Sequence, residues 1–233
     1  MPPVALLAGG LATRLFPLTE KMPKTLIQVA DEPFIAHQLR LLHREGIRHV
    51  ILCLGFLGEM VRDVVGNGEQ FGLHVVYSFD GDKLLGTGGA LKHALPLLGK
   101  EFFVLYGDSY LDIPYGPPLA AFRASGAPAL MTVFRNEGCW DTSNVIFDGT
   151  YVVRYDKRTP NDDMHYIDYG LGLFTGDVIE AWPADRFDLA DVYAELAEQR
   201  RLAGCEVSSR FYEIGTPQGL DETDAHLRGS KCE

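Results

Sequence analysis

The feature that most constrains this chain is a series of short, largely apolar runs separated by helix-like stretches. "VALLA" (4–8), "HVILCL" (49–54), "LHVVYSF" (73–79) and "FFVLYGD" (102–108) are the runs. A strand with one wet face alternates apolar and polar residues, whereas a continuously apolar one is buried on both faces. Between the runs lie "EPFIAHQLRLLHREG" (32–46), "LGEMVRDVVG" (57–66) and "TGGALKHALPLL" (87–98). In the first of these, Phe34, Ile35, Leu39, Leu41 and Leu42 recur at helical spacing, Pro33 suits a first turn and Gly46 a stop. Repeated β-α-β units with apolar strands predict an α/β fold: a doubly wound, mostly parallel, Rossmann-like sheet covered on both faces.

The second half is richer in strand signals. "ALMTVF" (129–134), "NVIFD" (144–148), "YVVRYD" (151–156) and "DYGLGLF" (168–174) read as strands, the middle two joined at Asp148-Gly149-Thr150 as a hairpin. Helices are expected over 188–202 and 217–228. No repeat, low-complexity tract or linker interrupts the 233 residues. One domain over 1–233 is therefore expected, with 1–135 forming its α/β half and 136–233 a smaller β-rich insertion with closing helices.

A net charge of −11 disfavours nucleic acid and anionic membranes as partners. Four scattered cysteines (Cys53, Cys139, Cys205, Cys232) form no C-x-x-C, so neither a zinc cluster nor a disulfide framework is expected. A reducing, cytoplasmic setting is the corresponding expectation. "MPPVALLAGG" lacks the basic start and long apolar core of a signal peptide, and no run is long enough to span a membrane.

In an open parallel sheet the ligand sits beyond the carboxyl ends of the strands, so the residues that follow strands are the candidates. Gly9-Gly10-Leu11-Ala12-Thr13-Arg14 follows the first. Glycine lets backbone N–H groups close on phosphate oxygens, and an arginine fork grips two of them. The stretch is neither a Walker A loop nor a G-x-G-x-x-G fingerprint, and a tight turn with an incidental arginine fits equally. Pro23 stiffens the chain before Lys24. These cations stand out: Arg14, Lys21 and Lys24 face only Glu20 within the first 30 residues of an acidic protein. Gly107-Asp108-Ser109 follows a later strand; Asp108 is either a Mg²⁺ ligand or a turn cap. "LLGTGGAL" (84–91) offers flat backbone for a base or ribose, or close helix packing. Asp156-Lys157 ends a strand, and Glu213 precedes a Gly-Thr-Pro turn; each has a plain surface reading.

Taken in order, L-x-G-G-x-x-T-R-L-x-P-L-T, P-K, G-T-G-G-A, G-D, D-K after a strand and E-I-G-T-P resemble the sugar-1-phosphate nucleotidyltransferase family, over roughly residues 3 to 225. The resemblance is strongest to short members: hexose- and heptose-1-phosphate guanylyltransferases and muramic-acid-1-phosphate uridylyltransferases. It implies a Mg²⁺-dependent enzyme joining a nucleoside triphosphate to a sugar 1-phosphate with release of pyrophosphate. GTP and a manno-configured hexose or heptose 1-phosphate are the expected pair. Uridylyl transfer to an amino sugar or muramic acid 1-phosphate is the alternative, and a non-catalytic regulatory homologue another. Isoprenoid cytidylyltransferases share the glycine-rich start but fit "GTGGAL" and "EIGTP" less well.

By the same resemblance, Leu7, Ala8, Gly9, Gly10 and Thr13 cradle the triphosphate with Arg14 and Lys24 at the reacting phosphates. Asp80, Gly81, Gly86 and Thr87 line the base pocket. Asp108 and Glu213 share Mg²⁺. Asn144, Asp156, Lys157, Asp168 and Gly170 hold the sugar phosphate. Two positions depart from the family pattern: Ala12 replaces a glycine, and Glu213 replaces an aspartate and carries its carboxylate one methylene further out. Family members often dimerise, and exposed parts of residues 110–122, rich in aromatics and prolines, could serve as the surface of a homodimer.

Overall fold

The computed structural model describes residues 1–10, 13–136, 138 and 140–229. In chain order the elements begin with β1 (Val4–Leu7), the short ribbon β2 (Gln28–Val29) and β3 (Glu32–Pro33), and α1 (Phe34–Arg44). Next come β4 (His49–Leu54), α2 (Gly58–Val65), β5 (His74–Phe79), α3 (Gly86–Leu98) and β6 (Glu101–Tyr106). The chain continues through β7 (Ser109–Tyr110), α4 (Gly116–Ser125), β8 (Ala129–Arg135), β9 (Val145–Phe147), β10 (Val152–Tyr155) and β11 (Tyr166–Thr175). It ends with α5 (Gly176–Glu180), α6 (Leu189–Glu198), β12 (Leu202–Val207), β13 (Tyr212–Glu213) and α7 (Pro217–Gly229).

Among the described residues the large sheet has nine strands. β5, β4, β1 and β6 pair in parallel in that order. β11 then pairs antiparallel with β6 and with β8, and β12 closes that side parallel to β8. The hairpin β9–β10 attaches at Tyr166. The apolar runs have the reason the sequence suggested. Val4 and Leu6 face one core, with Ile35 and Leu39 of α1 and Val61 of α2; Ala5 and Leu7 face the other, with Leu91 of α3 and Val192 of α6. A strand buried on both faces has no position for a polar side chain.

Two expectations are corrected. Pro33 sits just before α1, with ψ of 134°, rather than inside its first turn. The helix expected over 188–202 stops at Glu198, and the chain turns through Arg200, at φ 52°, into β12. Of residues 110–122, Tyr110, Leu111, Ile113, Tyr115 and Phe122 are buried, the last within α4, while Asp112, Pro114, Gly116, Pro117 and Ala120 are exposed.

β1 is where the connections change direction, since β4 and β5 lie on one side of it and β6 on the other. That change opens a crevice at the carboxyl ends of β1 and β6. Beside it, β13 pairs antiparallel with β7, setting Glu213 opposite Ser109. A small apolar cluster of Tyr110, Ile214, Phe34 and Leu227 seats this ribbon and α7 against α1.

Candidate active site

Two cavities meet at the crevice. The first, of about 320 Å³, is lined by the turn after β1 (Ala8, Gly9, Gly10), by Lys24 and by Gly86 and Thr87 at the start of α3, among others. The second, of about 460 Å³, is lined by Arg14, Asn144, Lys157, Asp168, Gly170 and Glu213, among others. Tyr106 and Asp108 border both.

The first cavity owes its shape to backbone contact. A Cβ on Gly9 would lie 2.9 Å from the Gly55 nitrogen, and one on Gly55 would lie 2.7 Å from the Gly9 oxygen. Only glycines let these two strand-ending loops touch. Gly86 has φ of 77°, and a Cβ there would lie 2.5 Å from the Phe187 oxygen. Gly88 and Gly89 take the plainer of their two readings and pack against residues 185–187. Thr87 joins two elements: the Leu189 N–H donates to its Oγ1 at 2.8 Å, and its hydroxyl donates to Asp188 at 3.2 Å. Asp80 lines the cavity and accepts from the Leu85 N–H at 3.0 Å; burial pushes its carboxyl up. Gly81 turns the loop beside it, at φ 79°, and is not among the lining residues.

Charge concentrates where the cavities join. The ammonium of Lys24 donates to Asp108 Oδ2 at 2.7 Å, with both side chains less than a third exposed. The Ile214 N–H donates to the Asp108 carbonyl at 2.9 Å, which ties β13 to the turn after β6. A Cβ built on Gly215 would lie 3.4 Å from Glu213 Oε1 and 3.7 Å from Asp108 Oδ2, so the two carboxylates converge on one point. Burial pushes the Glu213 carboxyl up, and Asp108 and Asp141 push it the same way, while Lys24 and Arg14 pull it down. Four charged side chains therefore act on the Glu213 carboxyl. The extra methylene of Glu213 does not turn its carboxylate away from Asp108.

The second cavity is organised by a bulge. Between Asp168 and Gly172 the register of β11 against β8 slips, and Gly170 there has φ of 101°. Bulges re-aim side chains at sheet rims. Here Asp168 is almost wholly buried, accepts from the Gly170 N–H at 3.0 Å and from the Tyr155 hydroxyl at 3.2 Å, and pairs with Lys157 at 3.3 Å. Asn144 Oδ1 accepts from the Asp168 N–H at 3.0 Å. The Lys157 ammonium lies over the rings of Tyr106 and Tyr155, at 5.8 Å and 5.5 Å.

The first 141 residues carry the decisive likeness. Residues 4–141 match the nucleotidyl transferase family model. The chain belongs to that family. An N-acetylmuramate alpha-1-phosphate uridylyltransferase of Neisseria meningitidis is 29% identical over 228 residues, covering 94% of this chain and 96% of that one. A mannose-1-phosphate guanylyltransferase catalytic subunit beta of Drosophila pseudoobscura pseudoobscura is 28% identical over 219 residues, or 91% of this chain and 59% of the relative. This chain thus spans about six-tenths of that relative's length. Among solved structures, HddC from Yersinia pseudotuberculosis superposes with a TM-score of 0.83 at 22% identity, over 97% of this chain and all of that one, which shows a shared fold.

On this nucleotidyl transferase fold, Leu7, Ala8, Gly9, Gly10, Lys24, Asp80, Gly86, Thr87 and Asp108 come together at the first cavity. Arg14 lies on the second cavity rather than beside the glycines of the first. Thr13 belongs to a short 3₁₀ turn, and its side chain, like all of Leu11 and Ala12, lies outside the described residues. Asp156 is a correction. Its carboxylate accepts from the N–H groups of Arg158 and Thr159 and from the Thr159 hydroxyl, closing its own turn, and it is not among the cavity's lining residues. Hydrogen bonding to the Thr159 hydroxyl and to those N–H groups lowers its pKa to about 2. Sequence reasoning missed Asp188, Asp141 and Phe211. Asp188 carries only the signal of a residue opening a helix, and Asp141 and Phe211 sit in loops without periodicity.

Proposed function

We propose that this chain transfers a nucleotidyl group from a nucleoside triphosphate to a sugar 1-phosphate, releasing pyrophosphate. The carrying observation is the junction of two cavities at Asp108, with Lys24 on one side and Arg14 and Lys157 on the other. Such a junction suits two anionic substrates that must touch. An oxygen of the sugar phosphate attacks the α-phosphorus, and the bond to the β-phosphate oxygen breaks, the electron pair leaving with pyrophosphate. A phosphate monoester is already largely dianionic at neutral pH, so no general base is required. The barrier is charge crowding, and positioned cations lower it.

In this reading Gly9 and Gly10 hold the triphosphate, Asp80, Gly86 and Thr87 bound the nucleoside, and Lys24 faces the leaving phosphates. Asn144, Lys157, Asp168 and Gly170 receive the sugar phosphate with Arg14. Asp108 and Glu213 suit a hard cation such as Mg²⁺, which takes one or two carboxylates and completes its shell with phosphate and water. Among the described residues no group of three or more His, Cys, Asp or Glu gathers, here or elsewhere, so these two carboxylates would hold such an ion only together with phosphate and water. Bound there, the ion would add positive charge at the crowded phosphates.

GTP and a manno-configured hexose or heptose 1-phosphate are the proposed substrates, supported by the name of the Drosophila relative. Uridylyl transfer is the second reading, supported by the Neisseria relative, which this chain matches along almost its whole length. Incubation with Mg²⁺, each of four NTPs and a panel of sugar 1-phosphates, read by pyrophosphate release, tests both. Tight binding of an NDP-sugar without any pyrophosphate would refute catalysis in favour of a binding homologue.

A further inference from the structure

We propose that the sugar accepted by this cavity is neutral apart from its 1-phosphate, and that Asp141 is a residue that enforces the choice. The inference deepens the nucleotidyl transfer reading and rests on it.

The argument is an inventory of charge. Among the described lining residues of the sugar-side cavity, four carboxylates (Asp108, Asp141, Asp168 and Glu213) stand against two cations, Arg14 and Lys157. Lys157 is already paired with Asp168 at 3.3 Å. On the other side of the junction, Lys24 is paired with Asp108 at 2.7 Å. Arg14 is in no ion pair among the described residues and remains for an incoming phosphate. With a divalent cation held by Asp108 and Glu213, Asp141 and Asp168 would still stand against Arg14 and Lys157, and the sugar 1-phosphate itself takes up those two cations, so a second anionic group on the sugar meets Asp141 with no cation left over.

The space next door points the same way. A neighbouring hollow shares Thr142 and Pro160 with the sugar cavity. It adds Ser143, Asn161, Asp162 and His165, and no lysine or arginine among its described lining residues. Hydroxyl and amide groups there suit a hydroxylated extension of the ring. Asp162 opposes a carboxylate one.

Asp141 is placed to act. It is exposed at the cavity's edge, and its Oδ1 accepts from the Thr142 N–H at 2.6 Å. Asn136, itself buried, holds the same loop by donating to the Asp141 carbonyl and to Ser143 Oγ at 3.1 Å. The Asp141 charge is thus fixed at the edge rather than swinging in solvent.

The test uses matched sugars that differ in one carboxylate: N-acetylglucosamine 1-phosphate against N-acetylmuramate 1-phosphate, and mannose 1-phosphate against mannuronate 1-phosphate. Dissociation constants by calorimetry and kcat/KM by pyrophosphate release, with GTP and with UTP, are measured for the wild type and for Asp141→Asn. Two like charges a few ångströms apart in a partly wet site predict a preference of about tenfold or more for the neutral member at low salt. The ratio is expected to shrink in Asp141→Asn, and to shrink in wild type as salt rises, which a merely structural role would not produce. Equal or better use of the carboxylated member, or a ratio that neither the substitution nor salt moves, overturns the inference while pyrophosphate release leaves the transfer reading standing. Failure to bind any sugar 1-phosphate overturns both.

Discussion

Replacing Lys24 with methionine keeps the length of the side chain and removes its charge. The ammonium lies 2.7 Å from Asp108 Oδ2, and the two side chains are 20% and 29% exposed, so bulk water does not dissipate the field. A phosphate oxygen about 4 Å from such a cation gains about 4 kcal/mol at an effective dielectric near 20. Much of that acts on the bound triphosphate before reaction, and only the part that grows as pyrophosphate departs accelerates the chemistry. Removing one charge-stabilising donor elsewhere costs about 10²–10³ in kcat, which fits within that ceiling. Lys24→Met is therefore predicted to lower kcat by about 10²–10³, with a smaller change in KM for the NTP. A second signature follows from the ion pair. Without Lys24, Asp108 loses the cation that competes for its oxygen, so the Mg²⁺ concentration for half-maximal residual activity should fall. Steady-state pyrophosphate release across a Mg²⁺ titration reads both, and circular dichroism confirms the fold. A kcat within threefold of wild type in a folded variant, or a rise in the Mg²⁺ requirement, would refute the assignment of Lys24 to the leaving phosphates.

Other outcomes are equally concrete. The carboxyl of Glu213 is raised by burial first and by Asp108 and Asp141 next, so its contribution to stability is complete below the ordinary glutamate pKa and is lost as pH rises through the raised value. Glu213→Gln should melt higher than wild type near neutral pH without metal, with the gap closing on acidification, while activity falls about 10²-fold or more; an unchanged melting profile from pH 4 to 8 contradicts this. Arg210 lies over the Trp140 ring at 3.8 Å and pairs with Glu222, clasping the loop that carries Asp141. Arg210→Ala is predicted to raise KM for the sugar 1-phosphate roughly threefold to tenfold, from loss of a cation–π contact of about 1 kcal/mol, with KM for the NTP unmoved. Gly55→Ala places a Cβ 2.7 Å from the Gly9 oxygen and should cost about 1–3 kcal/mol of stability in urea titrations and weaken NTP binding more than sugar binding.

Much of this architecture is legible locally. β4 runs over His49–Leu54, as its apolar run predicts, because both faces of a central strand exclude polar side chains. α4 was hidden by Gly116-Pro117-Pro118, which reads as a breaker, although proline is tolerated in a first helical turn where its missing N–H has no partner to lose. β12 was hidden by Gly204, which weakens a strand signal; a Cβ there would lie 2.2 Å from Phe147 Cε2, so the glycine is a packing requirement set by a distant hairpin. Asp156 misled for the opposite reason: an aspartate followed three residues later by threonine favours a side-chain-closed turn, and the turn uses up the carboxylate. The convergence of Asp108 and Glu213 comes from the pairing of β7 with β13, two residues each, which no periodicity announces. The family resemblance supplied that pair; propensity did not.

The ion pair of Lys24 with Asp108 also bears on how tightly such a site can hold its ligands. The two charges pair with each other at a junction that Glu213 and Asp141 also line. On the proposed reading, a triphosphate claims Lys24 and a divalent cation claims Asp108. Binding then breaks one favourable pair to form two, and neither ligand gains the full attraction of an unpaired partner. A triphosphate arriving without a cation leaves Asp108 half-buried and repelled, and a cation arriving without the triphosphate leaves Lys24 unneutralised beside it. Each ligand should therefore bind better in the presence of the other. Linkage requires the coupling to be reciprocal, so the factor by which Mg²⁺ tightens NTP binding must equal the factor by which NTP tightens Mg²⁺ binding. Part of that coupling reflects Mg²⁺–NTP association in solution, and the part due to the protein is expected to shrink in Lys24→Met, where the pair that enforces it no longer exists.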